Sequence, residues 1–308
     1  MAIVTTGFFD GVHLGHRHVL ETVVSAARER GEEASVVSFW PHPRTVLQQD
    51  AREFRLLTSL EEKKALLLAA GMDRVEVLPF TREFAAMKAE EYLQLLKDRF
   101  DATLIVMGYD NRIGSDRKTA SEISGESSPS APQEIIFCDG AQITNFLLRP
   151  SFVAQRTDSP STVAISSTII RKALEAGDVE RANGMLGYRY GLYGVVVAGN
   201  RMGRTIGFPT ANMQLYEPLK LVPCNGVYAV EVEVLGAKYK GMCNIGLRPT
   251  VDGKVRTIET HILDFDQDIY GLPMRIRFLR RIRDERRFPS LDALREQLQA
   301  DSVEVRRM

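Results

Sequence analysis

Cysteine is scarce in this chain: Cys138, Cys224 and Cys243 are the only three among 308 residues. They are odd in number, far apart and never in a C-x-x-C pair. Neither a disulfide framework nor a zinc site is expected, and a reducing cytosol suits them. Net charge is also lacking, with 40 Lys plus Arg against 40 Asp plus Glu. Such a surface has no global field to gather nucleic acid or an acidic membrane, so neither is an expected partner. No apolar run approaches the roughly 20 residues of a membrane span. The N-terminus lacks a basic stretch followed by an apolar segment and a cleavage site, so no secretory signal is expected. No repeat of fixed period occurs. What is present is a hydrophobic fraction of 44%, enough to fill real cores, over a length that suggests two domains. Of only five histidines, two fall in one short stretch near the start.

That stretch is Gly7-Phe8-Phe9-Asp10-Gly11-Val12-His13-Leu14-Gly15-His16. The apolar run Ala2 to Val4 leads into it, and a helical pattern from Arg17 to Glu29 leads out. A strand-to-helix turn is where an α/β fold offers backbone N–H groups and a helix N-terminus to phosphate. His13 and His16 are three apart and share a face if the first helical turn includes them. Two imidazoles there can stabilise charge developing on a phosphate. Strand and helix signals then alternate. Ala34 to Phe39 reads as a buried parallel strand, stopped by Trp40-Pro41-His42-Pro43. Ser59 and Glu62 form a capping-box pattern for a helix reaching Ala70 and stopped by Gly71. Val75 to Leu78 reads as a strand, Ala89 to Phe100 as a helix and Thr103 to Met107 as a strand. This order predicts a parallel sheet with helices on both faces and a ligand at the C-terminal strand ends. Three loops lie there: the opening motif, the Pro-His-Pro loop and Gly108 to Gly114. Ser115 to Gln133 reads as a polar surface loop, followed by apolar runs at Glu134 to Cys138 and Val163 to Ile165. In Ile165-Ser166-Ser167-Thr168-Ile169-Ile170-Arg171 the hydroxyls cap a helix to Ala176, or with Arg171 form a second phosphate clamp.

A short amphipathic segment, Val179 to Leu186, ends at Gly187, and strands dominate from Tyr188. Five runs predict a small antiparallel barrel: Tyr193–Ala198, Gly226–Leu235, Ala237–Ile245, Thr257–Leu263 and Met274–Leu279. The basic run Arg275 to Arg287 reads as the solvated face of the last strand. Ser290 caps a closing helix to Gln299. Within this half, Gly199 and Gly203 give a close-approaching loop, followed by Gly207-Phe208-Pro209-Thr210-Ala211-Asn212. Thr210 and Asn212 point the same way in an extended strand. A hydroxyl and an amide oxygen can share a hard cation with phosphate oxygens; a turn followed by a polar strand explains them equally. Glu259, mid-strand, is a solvent-facing residue or a positioned base.

With these residues in view, the chain resembles the bacterial bifunctional riboflavin kinase/FMN adenylyltransferases. GFFDGVHLGH resembles their G-x-F-D-G-x-H-x-G-H signature, and Phe39 to Pro43 their F-x-P-H-P loop. Ile165 to Arg171 matches I-S-S-T-x-I-R, and Gly203 to Asn212 matches G-R-T-x-G-F-P-T-A-N. Asn244-Ile245-Gly246 with Arg248-Pro249-Thr250 is similar to N-I-G-x-R-P-T, and Glu259-Thr260-His261 with Tyr270-Gly271 to the segment carrying the kinase base. In the loop from Gly108, Asn111 and Ile113 stand where the family has aromatic residues.

The resemblance implies a Rossmann-like HxGH nucleotidyltransferase domain over residues 1–183. A riboflavin kinase-like antiparallel β-barrel with a terminal helix would follow over 184–308. It implies ATP, riboflavin and FMN as substrates and Mg²⁺ with ATP. In the barrel, Glu259 would take the proton of the ribityl 5′-hydroxyl, Thr210 and Asn212 would hold Mg²⁺, and Gly199, Gly203, Arg204, Gly207 and Pro209 would contact nucleotide. In the first domain, His13, His16 and Arg171 would act on the triphosphate, with Gly7, Phe8, Asp10, Gly11, Gly15, Ser167 and Thr168 lining the nucleotide. Pro41, His42, Asp110, Asn111, Arg248 and Thr250 would contact flavin. Two rival readings predict different products: a kinase with an impaired adenylyltransferase module makes FMN alone, and a flavin-sensing protein makes neither product.

Overall fold

The computed structural model describes residues 1–47, 53–108, 111–119, 122, 134–138, 165–199, 202–250 and 253–308. For 119, 134–138, 202, 248–250 and 253–255 only the backbone is described. The chain divides into two compact units, Met1–Ser167 and Thr168–Met308.

The first unit is a parallel sheet of order β3-β2-β1-β4-β7. Its strands are β1 (Ala2–Thr6), β2 (Glu33–Trp40), β3 (Arg74–Pro79), β4 (Ala102–Gly108) and β7 (Glu134–Cys138). All four pairings are parallel. Consecutive residues face opposite sides, so Ile3, Val36 and Val106 enter one core while Val4, Val37 and Ile105 enter the other. Helix α1 (Leu14–Arg30) covers the first core with Leu20 and Val23, and α3 (Leu60–Ala69) adds Leu67. Helix α5 (Ala89–Phe100) covers the second with Leu93 and Leu96. Helices therefore cover both faces, as the alternating pattern predicts. Two short helices, α2 (Pro43–Leu47) and α4 (Arg82–Ala86), are additions to that prediction.

Local signals set the boundaries. The Ser59–Glu62 capping box is formed in both directions: Ser59 Oγ accepts from Glu62 N at 3.1 Å, and Glu62 Oε2 from Ser59 N at 2.8 Å. Helix α1 begins three residues before the predicted Arg17, because His13 serves as its N-cap. The start of the predicted surface loop is instead a hairpin, in which β5 (Arg112–Ile113) pairs with β6 (Lys118–Thr119). The rest of that loop, apart from Glu122, lies outside the described residues, as do Val163 and Ala164.

In the second unit, α6 (Ser167–Glu175) and α7 (Val179–Leu186) precede a closed barrel of order β10-β11-β12-β9-β8-β13. Its strands are β8 (Gly191–Val197), β9 (Ala211–Leu215), β10 (Gly226–Val234), β11 (Ala237–Thr250), β12 (Gly253–Ile262) and β13 (Pro273–Arg283); α8 (Met202–Thr205) and α9 (Leu291–Arg307) complete it. Tyr190, Tyr228 and Phe278 are among its largest fully buried side chains. Helix α9 runs well past the predicted Gln299. Its Val305 packs with Ala229 and Met242, and its buried Asp301 takes Arg283 Nε at 2.9 Å. The basic run at β13 is neutralised in pairs, including Arg277 with Glu231 and Glu233, Arg280 with Glu304 and Arg281 with Asp284.

Candidate functional site

In the first unit the strand order reverses about β1: β2 and β3 follow on one side, β4 and β7 on the other. A crevice opens at such a switch point, outside the C-terminal strand ends. The turn after β1 occupies it, from Gly7 to His13. Its backbone is unusual: Phe9, Gly11 and Val12 have φ of 48°, 86° and 36°. A β-branched residue at positive φ is strained. Burial of Phe9 and Val12, 4% and 0% exposed, in the core under α1 holds the turn there.

His13 is buried, and its Nδ1 accepts from His16 N at 3.3 Å. The two rings stack with centroids 3.6 Å apart. Gly15 passes beside them where a Cβ would lie 3.3 Å from the His13 ring. The Nδ1 of His16 is shielded from solvent with no hydrogen-bond partner among the described residues. Burial, then the charges of His13 and Lys63, hold the His16 imidazole well below its usual range, so it is neutral at pH 7. The unfolded chain binds a proton at His16 below about pH 6.5 that the folded one refuses, so stability falls on acidification. Going from pH 7 to 5.5 is expected to destabilise the unit by on the order of 1 kcal/mol through this group, and His16→Gln to remove that part. Urea unfolding of both proteins at the two pH values checks it.

Asp10 is buried, and its carboxylate binds the Leu57–Thr58 segment. It accepts from Leu57 N at 3.0 and 3.1 Å, Thr58 N at 3.1 Å and Thr58 Oγ1 at 3.2 Å, while Gly11 N donates to Thr58 Oγ1 at 3.2 Å. Between orienting the motif and contacting nucleotide, its geometry is that of the motif's anchor. Asp10→Ala strands these donors and is expected to cost about 2–4 kcal/mol of stability, read by urea unfolding. Ser167 Oγ donates to the Asp10 carbonyl at 2.8 Å. Thr168 is exposed and Arg171 half-buried on α6, and both belong to the second unit.

Beside the turn lies a cavity of about 330 Å³ walled by Phe8, Phe39, Phe80, Phe84, Tyr92 and Asn111. Tyr92 is tied to Thr6 by a 2.6 Å hydroxyl pair. Of the residues predicted to meet flavin, Asn111 is on this wall. His42 stacks on Phe54 at 4.4 Å and lies 5.2 Å from the Phe8 ring, while Pro41 is exposed. Asp110 lies outside the described residues, and the side chains of Arg248 and Thr250 are not described. Phe80, Phe84 and Tyr92 carry no local signal; only the fold brings them together.

In the second unit, β-sheet register sorts the side chains. Cys243, Thr260 and Ala211 form one row across β11, β12 and β9, and all three are buried. Burial pushes the Cys243 thiol up to about 12. The next row, Asn244, Glu259 and Asn212, faces the other way and is half-buried. Glu259 is therefore neither fully solvated nor in the barrel. It lines a cavity of about 600 Å³ floored by Asn244 and Met242 and roofed by Phe288, Leu294 and Leu298. Thr210 Oγ1 donates to Glu259 Oε2 at 3.4 Å. Thr210 also lines a second cavity of about 230 Å³, with Arg204, Pro209, Asp268 and Tyr270.

The loop before Thr210 contains α8, a single helical turn. A Cβ on Gly203 would run into the Phe208 carbonyl, so that position needs glycine, while one on Gly199 would meet the Asn212 side-chain amide and displace it. Gly207 turns the chain at φ 83°. His261 Nδ1 donates to the Pro209 carbonyl at 2.8 Å and pins the loop's exit.

A parallel α/β unit with a histidine-bearing turn at its switch point, joined to a barrel with an outward carboxylate on the wall of a cavity, fits a two-module group-transfer protein. Family models described as FAD synthetase and riboflavin kinase match residues 1–135 and 186–308. The bifunctional riboflavin kinase/FMN adenylyltransferase of Bacillus subtilis is 36% identical over 99% of this chain and 91% of that protein. Its namesake from Escherichia coli K12 is 36% identical with the same coverage. A solved structure described as a macrolide-efflux protein from Streptococcus pneumoniae is 33% identical, with a TM-score of 0.86 over 100% of this chain and 94% of that one. The chain belongs to the bifunctional riboflavin kinase/FMN adenylyltransferase family. Among the described residues no helix is long and apolar enough to cross a membrane.

Proposed function

We propose that the chain phosphorylates riboflavin to FMN in its barrel and adenylylates FMN to FAD in its α/β unit, with ATP as donor in both steps. The observation that carries this reading is Thr210, which stands on the wall of both barrel cavities and within 3.4 Å of Glu259. A flavin in the larger, apolar cavity and a nucleotide in the smaller one would bring their reacting ends together there. Glu259 accepts the proton of the ribityl 5′-hydroxyl as that oxygen attacks the γ-phosphorus, and ADP leaves. Thr210, just before β9, and Asn212, two residues on within it, are hard oxygen donors, a set that would fit Mg²⁺ once phosphate oxygens join it. Bound there, Mg²⁺ would neutralise charge on the phosphates. Arg204, Pro209 and the glycines at 199, 203 and 207 shape the nucleotide loop.

In the α/β unit, an FMN phosphate oxygen attacks the α-phosphorus of ATP and pyrophosphate leaves. An ionised phosphate needs no protein base, so the turn supplies position and electrostatic stabilisation. His13, His16 and the N-terminus of α1 face the triphosphate, with Gly7, Phe8, Gly11 and Gly15 shaping the approach. The aromatic cavity takes the flavin ring, with Asn111 on its wall and His42 beside its Phe8 ring, while Pro41 enters on its motif alone. Ser167 lies at the turn; Thr168 and Arg171 enter on the I-S-S-T-x-I-R stretch alone. Asp110, Arg248 and Thr250 enter likewise on their motifs. The working modules divide at 183/184, close to where the riboflavin kinase match begins.

The test is one time course: purified protein with riboflavin, ATP and Mg²⁺, with the flavins separated chromatographically. FMN followed by FAD is expected. FMN alone would show that Asn111 and Ile113, in place of aromatic residues, have cost the second activity; binding without either product would overturn the enzymatic reading.

A further inference from the structure

The buried cation Lys63 has no role in the mechanism above. Lys63 lies on the inner face of α3, one turn before Leu67, and is 4% exposed. Lysine is almost never this buried without a compensating role. Its ammonium donates to two main-chain carbonyls, Phe39 O at 3.0 Å and Phe8 O at 3.3 Å, and sits 5.7 Å from the centre of the Trp40 ring. These carbonyls belong to the last residues of β2 and the first of the motif turn. The rings of the same two residues wall the aromatic cavity. One nitrogen thus joins the wall assigned to the flavin to the turn assigned to the triphosphate.

We propose that Lys63 is a positioning residue for adenylyl transfer, fixing the spacing between the flavin cavity and the phosphate turn and placing a positive charge beneath that turn. The inference rests on the assignment of FAD formation to this unit. The facing groups are Asp10 from the turn, His16 from α1 and the Trp40 ring from β2. Burial lowers the ammonium to about 8, with Asp10 opposing the shift. A neutral amine makes weaker bonds to carbonyls than an ammonium and adds no charge under an incoming anion. A lysine that merely filled a gap would not link its protonation to turnover.

The full chain is compared with Lys63→Met and Lys63→Arg. In Lys63→Met, kcat for FAD formation from supplied FMN is expected to fall about 100-fold, the scale of a small misplacement of reacting groups. FMN formation from riboflavin in the same preparation should be unchanged. In the wild-type protein, kcat/KM for ATP in FAD formation should decline as pH rises through about 8, since this ratio reports groups of the free enzyme. Lys63→Arg, whose guanidinium stays charged, should hold that ratio flat. Undiminished FAD formation by Lys63→Met, or the same alkaline decline in wild type and Lys63→Arg, would overturn the proposal. If Lys63→Met fails to fold, the wild-type and Lys63→Arg profiles decide alone. A wild-type protein that makes FMN but no FAD at any pH would instead remove the underlying assignment.

Discussion

Glu259→Ala is expected to lower FMN formation about 100- to 10,000-fold, the range of a lost general base, while FAD formation from supplied FMN continues. The reason is local. Glu259 sits in a row with Asn244 and Asn212 whose side chains leave the barrel wall, so its removal opens no cavity in the barrel core. It stands beside Thr210 on the larger cavity. Separate assays with riboflavin and with FMN measure the two activities, and equal loss of both would count against independent modules. Glu259→Gln should behave like the alanine variant, because an amide keeps the shape but accepts no proton at neutral pH.

His16→Ala is expected to do the reverse. FAD formation from FMN should drop about 100- to 1,000-fold, the cost of removing one preorganised group that stabilises transition-state charge, and FMN formation should persist. His16 is stacked on His13 and keeps a buried nitrogen without a partner among the described residues. Such a group lowers stability unless it serves a ligand. An anionic triphosphate would supply both partner and compensating charge. The same product assay decides, and unchanged FAD synthesis would remove His16 from the mechanism.

His16 was legible because the signals around it are local. A glycine at positive φ, an N-cap, a capping box and a period-two strand each act within a few residues. The turn at Gly11, the helix from Ser59 to Gly71 and the strands of the barrel were legible on those grounds. Glu259 shows where such reading ends. Periodicity favours solvent for a carboxylate in that strand, yet register against β9 and β11, together with α9 overhead, puts it on a cavity wall.

Sequence by itself determined the order of the elements, the division into an α/β part and a barrel, and the motifs that carry phosphate chemistry. Tertiary structure alone decided the rest. It turned Asp10 into an anchor for Leu57 and Thr58, brought Phe80, Phe84 and Tyr92 around one cavity, and buried Lys63 beneath Phe8 and Phe39. The anchor and the buried ammonium join residues tens of positions apart, and the three rings meet the distant Phe8 and Phe39. Only chain packing sets their distance, and no local preference of an aromatic ring or an ammonium encodes which partner it will meet.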